Sequence, residues 1–320
     1  MKAVFIEKFG GREVLQYGER SQPEPMRDEV LIRVLASSVN PVDWKIRSGH
    51  VKWIFPISFP STLGFDVSGL IVEVGDNVKG FLPGDEVFCC LEPGAIGAYA
   101  EYVSANQSVV ALKPKSLSHQ EAAAIPLAGM TAWQAFTKYR TPTSGEKILI
   151  IGGSGGVGTY AVQIAKSFGA EVTAVCSGKN VDLVKGLGAD HVIDYTKEKF
   201  QDVVKDQDIV FDTIGHETLT TCRQVLNENG IFISALPSIK VFWDWLKQRV
   251  LFSKKKSYMV LLKSNQDDLY ELYDLVKDGK LRSVIDSTFP LSHVADAHAK
   301  SETGRARGKI VIDVGDSEGI

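Results

Sequence analysis

The chain has 320 residues, of which 44% are hydrophobic and 23% are charged, and its formal net charge is −3. This length predicts two domains, and the lack of a basic excess argues against nucleic-acid binding. No apolar run reaches membrane-spanning length and no signal-peptide pattern opens the chain, so we expect no integral membrane segment and a cytoplasmic location.

The first third of the sequence predicts a β-rich domain. Short runs dense in Val, Ile and aromatic residues are broken by Gly, Pro, Asn and Asp, as in DEVLIRVLASSV, VSGLIVEVG, DEVFCCL and YAEYVSA. Near residue 120 the pattern becomes Ala-rich and helical, and Pro126 interrupts or starts a helix there. The cysteines, Cys89, Cys90, Cys176 and Cys222, make a poor disulfide framework and predict inert thiols.

From about residue 125, strands and helices alternate. The strands KILIIG, EVTAVC, HVIDY, DIVFDTIG and IFISAL are apolar throughout, and the helices between them include VGTYAVQIAKSFG, VDLVKGLG and ETLTTCRQVLNENG. Such alternation is typical of a parallel sheet covered on both faces. We therefore predict a doubly wound α/β domain over residues 125–260. The tail, with its last strand KIVIDV, is assigned to the β-rich domain, which then comprises residues 1–124 and 261–320.

A glycine turn follows the first of these strands. Its residues are Gly153, Ser154, Gly155, Gly156, Val157 and Gly158, a G-x-G-x-x-G pattern between a buried strand and an amphipathic helix. In this context the pattern predicts a Rossmann dinucleotide site, in which the pyrophosphate meets the helix N-terminus. A tight turn without a ligand is the alternative, and the lack of Gly-Lys-Ser/Thr excludes a P-loop.

The end of the second strand favours NADPH over NADH. An NAD site places Asp or Glu there to bind the ribose 2′-hydroxyl, whereas this chain has AVCSGKN, with Ser177, Lys179 and Asn180. A hydroxyl and an ammonium bind a 2′-phosphate that a carboxylate would repel. Tyr195, at the end of the next strand, is expected to flank the same pocket. An ordinary exposed lysine is the alternative for Lys179.

Several segments together resemble one family along nearly the whole chain, and they end with GKIVIDV. These segments are ASSVNPVDWKIRSG, LGFDVSGLIVEVG, VKGFLPGDEVF, AYAEYV, AAAIPLAGMTAWQAF and GGSGGVGTYAVQIAKSFGAEV. They resemble the medium-chain dehydrogenase/reductase superfamily, and within it the zinc-free quinone oxidoreductase and enone reductase branch. The resemblance implies a GroES-like catalytic domain for the β-rich part and a homodimer.

The resemblance also indicates whether the chain has the ligands to bind a metal ion. Alcohol dehydrogenases of the superfamily bind catalytic zinc through Cys and a Gly-His-Glu motif, but the matching places here read Asn40-Pro41-Val42-Asp43 and Gly64-Phe65-Asp66. Neither place offers His or Cys, so we predict no metal. Without a Lewis acid, the acceptor must already be electron-poor, such as a quinone or an α,β-unsaturated carbonyl.

The same resemblance implies further site residues. The turn NPVDWKIRSG borders the nicotinamide in family members, which makes Asn40, Asp43 and Lys45 candidate catalytic residues, with Lys45 a donor to ribose or carbonyl. Alternatively, Asn40 and Asp43 only cap and pin the turn. Thr131 is expected near the nicotinamide by the same resemblance. The other cofactor candidates follow later strands, at the carboxyl edge of the sheet where ligands bind, or come from the closing segment RGKIVI. They are Thr213, Ile214, Leu236, Pro237, Gly308 and Lys309.

Two alternatives for function remain open at this point. One is a zinc-type alcohol dehydrogenase, and the other is a non-catalytic NADPH-binding protein with a structural or regulatory role. The stretch SIKVFWDWLKQRVLFSKKKSYM adds a further choice, since a helix capped by Ser238 would be a lid, a dimer contact or a membrane-surface helix. Its apolar face would comprise Val241, Phe242, Trp245, Leu246 and Val250.

Overall fold

The structure is a computed structural model, and it describes residues 1–236, 243 and 254–315. Pro237 lies outside the described residues. So do Ser238, Val241, Phe242, Trp245, Leu246 and Val250, which carried the prediction of an amphipathic helix.

The part of the chain before residue 124 is built mainly of strands. The runs rich in β-branched and aromatic residues form these strands, and Gly and Pro lie between them. Its elements are β1 (Lys2–Ile6), β2 (Gln16–Glu19), β3 (Glu29–Val39), α1 (Pro41–Arg47), β4 (Ser61–Thr62), β5 (Asp66–Val74), β6 (Glu86–Cys90), β7 (Tyr102–Asn106), β8 (Val110–Leu112) and α2 (His119–Ala123).

Pro126 begins the next helix, because its fixed φ suits a first helical turn and its missing N–H costs nothing there. From this point helices and strands alternate. The elements are α3 (Pro126–Thr137), β9 (Lys147–Ile151), α4 (Gly156–Ser167), β10 (Glu171–Cys176), α5 (Val181–Gly186), β11 (His191–Asp194), α6 (Phe200–Val203), β12 (Gln207–Asp212), α7 (Leu219–Cys222), β13 (Leu226–Ser234) and β14 (Lys256–Met259). The tail contains α8 (Gln266–Lys277), β15 (Ile285–Pro290), α9 (Val294–Glu302) and β16 (Lys309–Asp313).

The helix predicted over ETLTTCRQVLNENG is wrong in its second half. The helix α7 stops at Cys222, and β13 already begins at Leu226, which pairs with Gln207 of β12. The Asn227 amide also donates to Asp208 Oδ1 at 2.6 Å. Sheet pairing and this side-chain bond therefore override the local helical pattern.

The chain divides into two compact units. The first comprises Met1–Ala128, Lys263–Lys277 and the described residues from Ser283 onward, and the second comprises the described residues of Gly129–Leu262 together with Asp278–Arg282. The sequence predicts domain boundaries at 124/125 and 260/261, with the whole tail in the β-rich domain.

The short segment 278–282 is held in the second unit by two side chains. Gln163 accepts the Arg282 N–H at 2.9 Å and donates to the Arg282 carbonyl oxygen at 3.1 Å. The Arg282 guanidinium also donates to the carbonyl oxygen of Gly186 at 3.3 Å. These bonds explain why residues 278–282 of the tail belong to the second unit.

The second unit contains a six-stranded sheet in the order β11-β10-β9-β12-β13-β14, and all of its pairings are parallel. From β9 the chain continues to β10 and β11 on one side of the sheet, and it then returns to form β12, β13 and β14 on the other side. The strand order therefore reverses between β9 and β12. In doubly wound folds, ligands bind at such a reversal, at the carboxyl ends of the strands. The predicted doubly wound domain is confirmed.

The first unit is β-rich, as predicted. Its larger sheet has the order β15-β16-β3-β5-β6-β8, with β7 also paired to β3, and its smaller sheet has the order β2-β1-β4. The register sets Ser38 opposite Asp66, Asp66 opposite Cys90, and Val39 opposite Ile310. The end of β3 and the beginnings of β5 and β16 therefore meet, which gathers several polar residues in one buried place.

Candidate functional site

The glycine turn joins β9 to α4. Gly152 has a φ of +85°, and the Gly155 N–H donates to the Gly152 carbonyl oxygen at 3.0 Å. A Cβ atom at Gly158 would lie 2.0 Å from that same oxygen, so only glycine lets the helix begin so close to the strand. The first N–H groups of a helix have no partner within it, and anions bind at such N-termini in doubly wound folds.

The residues that follow β10 lie beside this turn. The Asn180 amide nitrogen donates to Ser154 Oγ at 2.9 Å and to Ser177 Oγ at 3.2 Å, so one side chain bridges the glycine turn and the end of the second strand. Lys179 is exposed and has no ion pair among the described residues. Tyr195 follows the neighbouring strand β11 and is 62% exposed. The structure thus brings the predicted pyrophosphate and 2′-phosphate residues together.

Asp194 is a residue of this region that sequence reasoning missed. Its Oδ1 accepts the Thr196 N–H at 3.0 Å and the Thr196 hydroxyl at 2.7 Å, and these hydrogen bonds lower the pKa of the Asp194 carboxyl. A Cβ atom at Gly178 would lie 2.4 Å from Asp194 Oδ2, so glycine is needed for this approach. The carboxylate belongs to the third strand, and Lys197 lies 3.7 Å away to offset part of its charge.

Thr213 and Ile214 follow β12 and lie against the glycine turn. The Thr213 hydroxyl donates to the Ile151 carbonyl oxygen at 2.8 Å, and a Cβ atom at Gly152 would lie 2.5 Å from Cγ1 of Ile214. Asp212, which the sequence analysis did not select, shapes this loop because its Oδ1 accepts the Ile214 N–H at 2.9 Å. Both predicted residues therefore lie at the carboxyl edge of the sheet.

The other cofactor candidates of the second unit that the structure describes are Leu236 and Thr131. Leu236 follows β13, and its N–H donates to Ser234 Oγ at 3.3 Å. Thr131 is buried on α3. Its role near a nicotinamide stays a prediction.

The first unit contains a buried polar group formed by Ser38, Asn40, Asp66 and Lys309, which we name the Asp66 cluster. Asp66 Oδ2 accepts from the Ser38 hydroxyl at 2.5 Å, from the Asn40 amide at 2.7 Å and from the Lys309 ammonium at 3.3 Å. Lys309 also donates to Asn40 Oδ1 at 2.5 Å. The Leu127 N–H donates to Asp66 Oδ1 at 2.7 Å. The cluster is thus a hydrogen-bonded ion pair that is almost completely removed from water.

Gly308 precedes Lys309 and has its own structural reason. Its φ is +87°, and a Cβ atom there would lie 2.1 Å from the Val284 carbonyl oxygen. The Lys309 N–H donates to that same oxygen at 2.8 Å. Gly308 therefore fixes the backbone conformation just before β16. This conformation lets the Lys309 backbone join the sheet.

Asp43 lies in the first turn of α1, and its surroundings favour the pinning role. Its Oδ2 accepts the Asn40 N–H at 2.7 Å and the Tyr99 hydroxyl at 2.8 Å, while Oδ1 has no hydrogen-bond partner in the described part of the chain. Burial raises the pKa of the Asp43 carboxyl to about 7. Sequence reasoning missed Tyr99, which carries no local motif.

Lys45 differs from Asp43 because its side chain is only half-buried. Burial lowers the pKa of its ammonium, and the nitrogen lies 5.5 Å from the ring centre of Trp44. Among the described residues it has no carboxylate partner. A lysine in this condition gives up a proton more readily than an exposed one.

A second set of contacts ties α1 to α9. Arg47 donates to Glu302 Oε1 at 2.6 Å, and its guanidinium lies 3.1 Å from His298 Nδ1. His298 Nε2 lies 3.4 Å from the Tyr99 hydroxyl, and burial lowers the pKa of the His298 imidazole to about 3. His298 is therefore a neutral structural residue.

The described residues do not fit a zinc ion. No group of three His, Cys, Asp or Glu side chains is placed to hold a metal in that part of the chain. At Asn40 and Asp66, the positions that match zinc ligands of alcohol dehydrogenases, the oxygen atoms already bind the Lys309 ammonium. A divalent cation there would face a buried positive charge.

Two further observations concern the chain as a whole. All four cysteines are buried, and no disulfide links them. None of the helices in the described residues has the length and apolar composition of a membrane-crossing segment.

Comparison with known proteins gives consistent matches. The alcohol dehydrogenase GroES-like domain model matches residues 26–115, and the zinc-binding dehydrogenase model matches residues 187–312. The chain is 38% identical to the chloroplast envelope quinone oxidoreductase homolog of Arabidopsis thaliana, over 98% of both proteins. It is 36% identical to the chloroplastic NADPH-dependent alkenal/one oxidoreductase of the same plant, over 98% of this chain and 79% of that protein. The solved quinone oxidoreductase of Coxiella burnetii has a TM-score of 0.91 and 35% identity, with 98% of this chain and 99% of that one covered.

Proposed function

The chain belongs to the medium-chain dehydrogenase/reductase superfamily, among its quinone oxidoreductases and enone reductases, and we propose that it is an NADPH-dependent, zinc-independent reductase of quinones or α,β-unsaturated carbonyls. The observation that carries this proposal is the pair of residues, Ser177 and Lys179, that follows β10. Ser177 and Lys179 occupy the place of the carboxylate that binds an NAD ribose. A relative named for NADPH and for alkenal/one substrates supports the same choice.

The cofactor supplies the hydride when it is bound, and an electron-poor acceptor can take that hydride without a metal. The residues of the second unit bind and orient. The N-terminus of α4 holds the pyrophosphate, and Ser177 and Lys179 hold the 2′-phosphate by hydrogen bond and charge. Thr213 and Ile214, beside the glycine turn, border the same edge of the sheet.

Reduction of a quinone or an enone also needs a proton, and we assign it to Lys45. Its lowered pKa follows from burial, and no carboxylate among the described residues holds its proton back. Asn40 and Asp43 act in this proposal as positioning residues, because they fix the first turn of α1, which carries Lys45.

The Asp66 cluster supports reduction without zinc. The Lys309 ammonium already neutralises Asp66 and fills the acceptor atoms that a metal would need. An acceptor that depends on Lewis-acid activation, such as a simple ketone, is therefore a poor substrate in this proposal.

Steady-state oxidation of NADPH tests the function directly. The purified protein is assayed with a panel of quinones and enones, and with saturated ketones and simple alcohols as matched controls. We expect turnover with members of the first group only. Tight NADPH binding without turnover on any acceptor would favour a non-catalytic binding protein instead.

A cytoplasmic location and a homodimer belong to the same proposal. Sedimentation of the purified protein at micromolar concentration tests the second, with a single species of twice the monomer mass as the expected result.

A further inference from the structure

The Asn180 side chain donates hydrogen bonds to the hydroxyl oxygens of two serines. Its amide nitrogen donates to Ser154 Oγ at 2.9 Å and to Ser177 Oγ at 3.2 Å. A serine hydroxyl has one O–H donor besides its acceptor lone pairs, so each serine keeps its own hydrogen for another partner. Among the described residues neither hydroxyl has a second hydrogen bond.

The amide oxygen of Asn180 is a second, independent observation. The residue is 6% exposed, and its Oδ1 is buried without a hydrogen-bond partner in the part of the chain that the structure describes. Buried carbonyl oxygens are nearly always paired in native proteins because leaving one unpaired costs stability. The two hydrogen bonds from its nitrogen to the serines must offset this cost, so they are the contacts that hold the Asn180 amide in place.

The positions of the two serines indicate the ligand. Ser154 lies within the glycine turn at the N-terminus of α4, where a pyrophosphate binds. Ser177 follows β10, where the adenosine ribose lies in doubly wound folds. At both places the cofactor has oxygen atoms that accept hydrogen bonds. Its ribose also has a hydroxyl that donates one.

We propose that Asn180 helps to determine which cofactor this site prefers, because it turns both serine hydroxyls into donors for phosphate. Ser154 donates to the pyrophosphate and Ser177 donates to the ribose 2′-phosphate. This assignment rests on the proposed NADPH site and deepens it, since the choice of cofactor then depends on a neutral amide as well as on Lys179.

The test exchanges the amide for a carboxylate of the same shape. In Asn180→Asp, oxygen replaces the donating nitrogen, so both serine hydroxyls turn toward residue 180 and stop donating to the ligand. The dissociation constants of NADPH and NADH are measured by fluorescence titration for the wild type, Ser177→Ala, Asn180→Asp and the double variant. Charge repulsion from the new carboxylate is common to both Asn180→Asp chains and cancels in the comparison.

We expect Ser177→Ala to weaken NADPH binding about tenfold in the wild-type background and to have almost no effect in the Asn180→Asp background. An equal effect in both backgrounds would overturn the role of Asn180. If Asn180→Asp does not fold, Ser154→Ala and Ser177→Ala provide the test. Ser154→Ala should then weaken NADPH and NADH alike, and Ser177→Ala should weaken NADPH alone, whereas loss of neither cofactor in either variant would contradict the assignment.

The outcome for the wild type separates this inference from the proposed function. A wild-type chain that binds NADH as tightly as NADPH contradicts the proposed cofactor. A wild-type chain that prefers NADPH, together with an equal effect of Ser177→Ala in the wild-type and Asn180→Asp backgrounds, contradicts only the role of Asn180.

Discussion

Asp43 is the buried acid of the first unit whose charge is least compensated. Its Oδ2 accepts two neutral donors, its Oδ1 accepts none in the described residues, and the neighbouring His298 is neutral. The carboxyl pKa of about 7 therefore means that the folded protein keeps a proton that the unfolded chain releases near pH 4.

This pKa predicts how stability changes with pH. Because the folded pKa is raised, the folded state binds more protons than the unfolded state between about pH 4 and pH 7, and the free energy of unfolding falls over that range. Asp43→Asn imitates the protonated acid and should remove this dependence, so the variant becomes more stable than the wild type above pH 7. Urea unfolding from pH 5 to 8.5 measures both, with Asp28→Asn, an exposed acid, as the control. Identical pH slopes for wild type and Asp43→Asn would count against the assignment.

The Lys179 side chain is expected to favour NADPH over NADH. Removal of its ammonium should raise the dissociation constant of NADPH about tenfold and leave that of NADH nearly unchanged, because only NADPH carries the 2′-phosphate. Lys185, exposed on α5, provides the matched control as Lys185→Ala. Fluorescence titration measures both constants, and an equal loss for the two cofactors would show that Lys179 does not meet the 2′-phosphate.

At the scale of elements, the glycine turn depends on two glycines for different reasons. A Cβ atom at Gly158 would lie 2.0 Å from a backbone oxygen, whereas at Gly155 the nearest atom is 3.5 Å away. Gly158→Ala should therefore lower the melting temperature, by about 5 °C or more. Gly155→Ala should leave the melting temperature of the free protein unchanged but reduce the stabilisation by NADPH, because a methyl group then stands at the anion site. Thermal unfolding with and without NADPH distinguishes the two, and equal melting temperatures of the two free variants would contradict this reading.

The Asp66 cluster links β3, β5 and β16 through a buried ion pair. Lys309→Met leaves Asp66 buried without its cation, and we expect a loss of about 3–5 kcal/mol in the free energy of unfolding. Adding Asp66→Asn to that variant removes the uncompensated charge and should recover much of the loss. Urea unfolding of both chains tests this, and a double variant no more stable than Lys309→Met would argue against charge as the cause.

For the whole molecule, the sequence predicted those features whose cause is local. The glycine turn, the Pro126 helix start and the parallel sheet follow from patterns within a few residues of each other. Contacts between distant residues could not be predicted, because Tyr99 meets Asp43 and His298 only after the chain has folded. The bridge from Asn180 to Ser154 also spans two strands and leaves no local pattern. The helix predicted over ETLTTCRQVLNENG was wrong in its second half for the same reason, since pairing with β12 made that half part of β13.

We propose that this chain transfers hydride from NADPH without zinc. The most direct measurement is the steady-state rate with the best quinone or enone, using protein dialysed against a strong chelator and assayed for metal, with NADPH and NADH in parallel. We predict an unchanged NADPH rate in zinc-free protein and a kcat/KM for NADPH at least about tenfold above that for NADH. Activity that disappears with the metal and returns with zinc, or equal use of the two cofactors, would contradict the claim.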